Sequence, residues 1–135
     1  SVGIKQLEKL DWIVRKRKRI ASKYHKAFKG ISCIQLPVEK KGYSSNYQSY
    51  SIYLKDDCPV SRNDLMQQML DAGIATRRGI MTTHRETAYA TEYADASLPV
   101  SEKASDRSII LPLYVPMEDE AVNKVIDTFI SILKK

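Results

Sequence analysis

Apolar residues at Ile4, Leu7, Leu10, Val14, Ala21, Tyr24 and Phe28 fall close to a 3.6-residue period, with Lys and Arg filling most of the gaps. The spacing predicts one helix from Ile4 to Phe28. Gly30 stops it, and Lys26 and Lys29 stand where a helix C-terminus favours cations. At ~1.5 Å per residue such a helix runs to about 39 Å, so it bends or reaches past the domain it belongs to. Trp12 and Ile13 lie beside the stripe, and the stretch from Ile4 to Val14 is expected to stay poorly buried without a partner copy or a further domain.

Shorter elements follow. Ile31 to Leu36 reads as a strand closed by Pro37, and Tyr47 to Leu54 as an aromatic-rich strand broken by Asp56-Asp57-Cys58-Pro59. Ser61 followed by Asp64 is a helix N-cap with an acid at the third position. Leu65, Met66, Met69 and Leu70 are the apolar face of that helix, and Gly73 ends it. A strand is expected over Ile74 to Thr76, short helices around Glu86–Tyr93 and Val100–Ser108, and a strand over Ile109 to Pro112. Glu118-Asp119-Glu120 open a last helix, whose core face is Val122, Val125, Ile126, Phe129, Ile132 and Leu133. The first two strands leave no room for a crossover helix, which argues against parallel winding. The order therefore indicates an α+β fold, a small mostly antiparallel sheet packed with helices and led by the long N-terminal helix.

At 135 residues and 43% hydrophobic, the chain suits a single domain, with residues 1–30 as the leading helix and residues 31–135 as the α+β body. No apolar run reaches the length of a bilayer span and no signal-type segment opens the chain, so the expectation is a cytoplasmic protein with no membrane partner. Cys33 and Cys58 are too few for a disulfide framework and read as free thiols. The net charge of +6 is unevenly placed: residues 1–30 hold ten basic and two acidic residues, and the remainder is slightly acidic. The excess sits in Arg15-Lys16-Arg17-Lys18-Arg19, with no aromatic platform or nucleic-acid motif beside it, which argues for a solvated helix face over DNA or RNA binding.

His25 and His84 are far apart, and no His or Cys pair has metal-ligand spacing. A glycine-rich phosphate loop and a nucleophile elbow are likewise missing from the sequence. The dense polar stretch is Thr76 to Tyr89. In it Arg77-Arg78 beside Gly79, with His84 and Tyr89 following, are suited to hold a carboxylate or phosphate, because Arg offers a planar fork and His a donor near neutral pH. An exposed charged loop without a ligand is the alternative reading of the same residues.

Four stretches in order resemble one family. Leu7-Glu8-Lys9-Leu10 with Arg17-Lys18-Arg19-Ile20-Ala21 and Tyr24 looks like the helix that begins the small domain of DegT-type sugar aminotransferases. Ser61-Arg62, Leu65, Leu70, Gly73-Ile74 and Thr76 resemble that family's helix-to-strand passage, and His84 with Tyr89 its following segment. Leu98-Pro99, Glu102 and Ala104-Ser105, then Leu111-Pro112-Leu113-Tyr114, resemble its last signature. The resemblance implies the C-terminal small domain of an aspartate-aminotransferase-type (fold type I) enzyme. It implies pyridoxal phosphate as the parent's cofactor, a nucleotide-linked keto sugar and glutamate as substrates, and a homodimer. It also implies that the cofactor-binding domain precedes this chain and carries the Schiff-base lysine, whose motif nothing here matches, so the chain alone is expected to be inactive, with no catalytic residue of its own. Carried over by position, His84, Arg77 and Asn46 become the expected substrate-side residues, Asn46 standing where relatives often have His or another polar group. Without the resemblance, a stand-alone α+β module that binds an anionic partner through its basic first helix, or a purely structural domain, fits the same residues.

Overall fold

The computed structural model describes residues 2–134, so the outermost residues of the two expected segments, Ser1 and Lys135, lie outside the described part. Helix α1 (Val2–Leu7) and helix α2 (Leu10–Phe28) lead the chain. Strands β1 (Ile34–Gln35) and β2 (Tyr50–Leu54), helix α3 (Arg62–Asp71) and strand β3 (Arg77–Arg78) follow. Helix α4 (Pro99–Arg107), strand β4 (Ser108–Leu111) and helix α5 (Asp119–Leu133) complete it. The sheet order is β1-β2-β4-β3, with every neighbouring pair antiparallel. The expected α+β class with a small antiparallel sheet is the observed one.

The leading helix bends. It breaks at Glu8-Lys9, where Lys9 N–H turns to the Gln6 carbonyl at 3.1 Å, and α2 restarts with Ile13 N–H bonded to the Lys9 carbonyl. The break follows from what each half touches: Ile20, Ala21, Tyr24 and Phe28 of α2 are buried, whereas α1 buries nothing. Leu7 is 67% exposed and Trp12 45%, in line with the expectation for this stretch.

The core lies between α2, α3, α5 and one face of the sheet. Tyr50, Ile52 and Leu54 point inward from β2, and Ile109 and Leu111 from β4, by the two-residue alternation of strands. Val122, Val125, Phe129 and Ile132 of α5 close over them, as the helical period predicts. Asp119, at the start of α5, accepts from both Arg19 (2.6 Å) and Lys23 (2.7 Å), so part of the basic run holds α2 against α5.

Several boundaries differ from the sequence reading. Strand β2 begins at Tyr50 and not Tyr47, because Tyr47 adopts a positive φ of 44° in a turn whose amides are taken by Ser45 and Asn46 side chains. Strand β3 is displaced from 74–76 to Arg77–Arg78. The α3 terminus claims the earlier residues: Gly73 (φ 76°) and Ile74 donate to the Leu70 and Met69 carbonyls in a Schellman arrangement. Leu70, expected on the apolar face of α3, is exposed. Residues 86–93 form turns instead of a helix, after a 3₁₀ turn at Thr83–Arg85.

Two buried tyrosines make stability sensitive to alkali. Burial is the first cause that pushes the Tyr24 and Tyr50 hydroxyls well above the ordinary tyrosine range. Above pH ~10 an unfolded chain releases these protons while the folded chain retains them, so the stability of the fold declines as pH rises past that value. Tyr24 Oη donates to the Pro112 carbonyl at 2.7 Å, whereas the buried Tyr50 hydroxyl has no partner among the described residues. Tyr50→Phe is therefore expected to cost little at neutral pH and to flatten the fall of Tm between pH 9 and 11. A Tm profile as steep as that of the unsubstituted chain counts against this assignment.

Candidate functional site

A hollow of about 860 Å³ opens at the end of the sheet where β2 starts and β4 finishes. Gln48 and Ser49 lead into β2 on one wall, Thr76 and Arg77 enter β3 on another, and Tyr114, after β4, and Lys124 of α5 complete it. Each is placed by a packed neighbour. Arg77 pairs with Ile110 of β4, and Lys124 follows the buried Val122 on the polar side of α5. The Thr76 hydroxyl is buried with no hydrogen-bond partner among the described residues. Two cations and no carboxylate line the hollow, so it suits an anionic, hydrogen-bonding ligand.

His84 lies elsewhere. Its Nε2 meets Glu102 Oε1 at 2.9 Å, and its side chain is 9% exposed. Glu102 is one turn into α4 and also accepts the Leu98 amide at 2.8 Å, closing the helix N-terminus behind Pro99 at the first position. The Leu98 amide and then His84 hold the Glu102 carboxyl below its usual range. Further along α4, Ser105 Oγ donates to the Ile80 carbonyl (2.9 Å) and Asp106 accepts Arg85 through both oxygens (3.0 Å). Helix α4 thus grips residues 80–85 at three points.

Of the three expected residues, only Arg77 lines the hollow. Asn46 is exposed two residues before it, its Oδ1 accepting the Gln48 amide at 3.1 Å. Register separates His84 from them: Tyr50 faces Leu111 at the hollow end of the sheet, and Tyr53 faces Ser108 at the other end, where α4 runs into β4. The sequence reading missed Lys124 and Thr76. Lys124 falls on the polar side of an amphipathic helix, and its spacing carries no sign of a site; Thr76 adjoins the arginines and was there to be taken with them.

Residues 1–130 match the DegT/DnrJ/EryC1/StrS aminotransferase family. Over 130 residues the chain is 32% identical to a dTDP-4-dehydro-2,3,6-trideoxy-D-glucose 4-aminotransferase of Saccharopolyspora spinosa, covering 96% of this chain and 32% of that protein. The aminotransferase TlmJ from Streptoalloteichus hindustanus superposes with a TM-score of 0.86 at 28% identity, over 98% of this chain and 35% of that one. A putative sugar aminotransferase, Spr1654 from Streptococcus pneumoniae, in its PLP form, gives 0.82 at 27% identity, over 98% and 34%. The chain spans about a third of the length of each relative it matches.

Proposed function

The chain belongs to the DegT/DnrJ/EryC1/StrS aminotransferase family, and from that membership we propose that it is the C-terminal small domain of a cytoplasmic, homodimeric aminotransferase. That enzyme uses pyridoxal phosphate and glutamate to aminate a nucleotide-linked keto sugar. In this reading residues 1–30 are the interdomain-type helix that introduces the α+β body of residues 31–135. The observation that carries it is the family match along residues 1–130 in a chain one third the length of its relatives. Among the described residues no helix is long and apolar enough to cross a membrane.

The hollow does not make a pyridoxal phosphate site by itself. Arg77 and Lys124 are cations suited to a phosphate, but no carboxylate lines the hollow to face a protonated pyridine nitrogen. The cofactor is therefore assigned to the preceding domain of the parent enzyme. What this chain offers is a basic wall: Arg77 contacts an anionic group of the substrate, Asn46 lies at its rim, and His84 contributes through Glu102, holding the loop that follows β3.

Two experiments test the reading. The isolated chain is expected to show no cofactor absorbance and no transamination, and stoichiometric borohydride-reducible pyridoxal phosphate on it overturns the assignment. In the full-length parent, Arg77→Ala is expected to raise KM for the sugar or donor by about ten- to a hundredfold, the value of a hydrogen bond to a charged group, with cofactor loading intact. His84→Ala is expected to raise KM as well while lowering Tm, since it frees the loop from α4. Unchanged kinetics in both variants leave these residues purely structural.

A further inference from the structure

A second, smaller hollow lies between α3 and β3, on the other side of Thr76. It measures about 340 Å³, with Met66, Leu70 and Ala75 as apolar wall and Asn63, Gln67, Thr76 and Arg78 as polar members. Three buried donors, one on this lining and two on Arg62, the residue before Asn63, lack partners among the described residues. One is the Thr76 hydroxyl. The other two are Nε and Nη1 of Arg62, which opens α3 and is 9% exposed. The charged groups that act on the Arg62 guanidinium are Arg78, Asp106 and Arg85. Asp106 is already engaged by Arg85 through both oxygens at 3.0 Å. Among the described residues neither Arg62 nor Arg78 forms an ion pair, and the carboxylate that acts on Arg62, Asp106, is shared with Arg85. A buried guanidinium with two unbonded nitrogens and no counter-ion of its own is among the costlier arrangements a fold can hold.

We propose that the hollow between α3 and β3 binds a small oxyanion, carboxylate or phosphate, seated between Arg78 and the Thr76 hydroxyl with its organic body, where it has one, on Met66 and Leu70. Arg78 supplies the fork that pairs with two oxygens. Arg62 acts from behind it: with Nε and Nη1 buried, its charge is screened less than that of a surface arginine and draws the anion inward. A second copy of this chain is a poor occupant of this sheet edge, because it would bring Arg77 and Arg78 against positive charge of the same kind.

Melting temperature of the 135-residue chain, titrated with inorganic phosphate or butyrate against sodium chloride of equal ionic strength, tests the proposal. Either anion is expected to raise Tm beyond the chloride control, and whichever acts more strongly identifies phosphate or carboxylate as the ligand group. Arg78→Gln is expected to weaken the response at least tenfold. Arg62→Met is expected to match or exceed the parent Tm without anion, because it removes a buried unpaired charge, and to lose the anion response. A response to neither anion overturns the proposal. So does a folded Arg62→Met chain with lowered Tm and an unchanged response, since Arg62 is then a structural residue. If Arg62→Met fails to fold, Arg78→Gln decides alone, and a full response in that variant overturns the site.

Discussion

Phe129→Ala is expected to destabilise the chain by about 3–5 kcal/mol, the range for emptying a buried aromatic position. Phe129 is fully buried, its ring centroid 4.8 Å from that of Phe28, which stacks at 5.8 Å on Tyr24. Tyr24 in turn lies 5.2 Å from Tyr50. The ring therefore connects α5 to α2 and, through α2, to the first long strand. Flanking buried side chains Phe28 and Val125 are held by their own helices and collapse only partly into the void. A fall in Tm of roughly 10–20 °C follows from the usual entropy of unfolding at this size. Phe129→Leu retains most of the volume and is expected to lose less than half as much. Equal losses in the two variants would show that ring shape, and not filled volume, is what matters at this position.

Gly79→Ala is the second large effect, and its cause is different. The backbone φ at Gly79 is not positive, so conformational freedom is not at issue. A Cβ there would run into Ser108 Cβ and come within 3.1 Å of the Ser108 carbonyl carbon and 3.2 Å of its Cα. The approach is this close because Gly79 N–H donates to the Ser108 carbonyl at 3.0 Å, extending the β3–β4 ladder by one residue. A methyl group forces the strands apart and breaks that bond, at a cost of about 3 kcal/mol. Replacing Ser108 by Gly as well removes the nearest obstacle and leaves the backbone contacts, so the double variant is expected to recover part of the loss. Full additivity of the two single effects in a double-mutant cycle would contradict this account.

Most of the fold was legible because its elements carry their own local signals. The helical period of Val122 to Leu133, the Ser61 cap and the Gly73 stop each depend on residues a few positions apart, and each appears in the structure where the pattern puts it. Strand boundaries were less legible, since they depend on partners far away in the chain. Thr76 has strand character, yet the ladder begins at Arg77, where Ile110 stands opposite. The site was the least legible. Arg77 and His84 are seven positions apart in a polar run, but pairing with β4 holds one at the hollow while the carboxylate of Glu102, eighteen residues on, draws the other to α4. Arg62 looked like an ordinary charged residue opening a helix, and only its burial marks it out.

Strand β4 is made last of the four and yet lies between β2 and β3. On the ribosome the chain must therefore wait for it. From Leu54, the end of β2, to Leu111, the end of β4, synthesis at about 5–20 residues per second takes roughly 3–11 s. Throughout that interval β2 has an open flank and β3 has nothing to pair with, since its only neighbour in the sheet is β4. Tyr50, at the start of the inward face of β2, and the Tyr24 ring of α2 beside it wait with it. The nascent domain spends those seconds with β1 and β2 paired and with α3 and β3 lacking the β4 and α5 they pack on, a form open to holdase chaperones and to wrong strand partners.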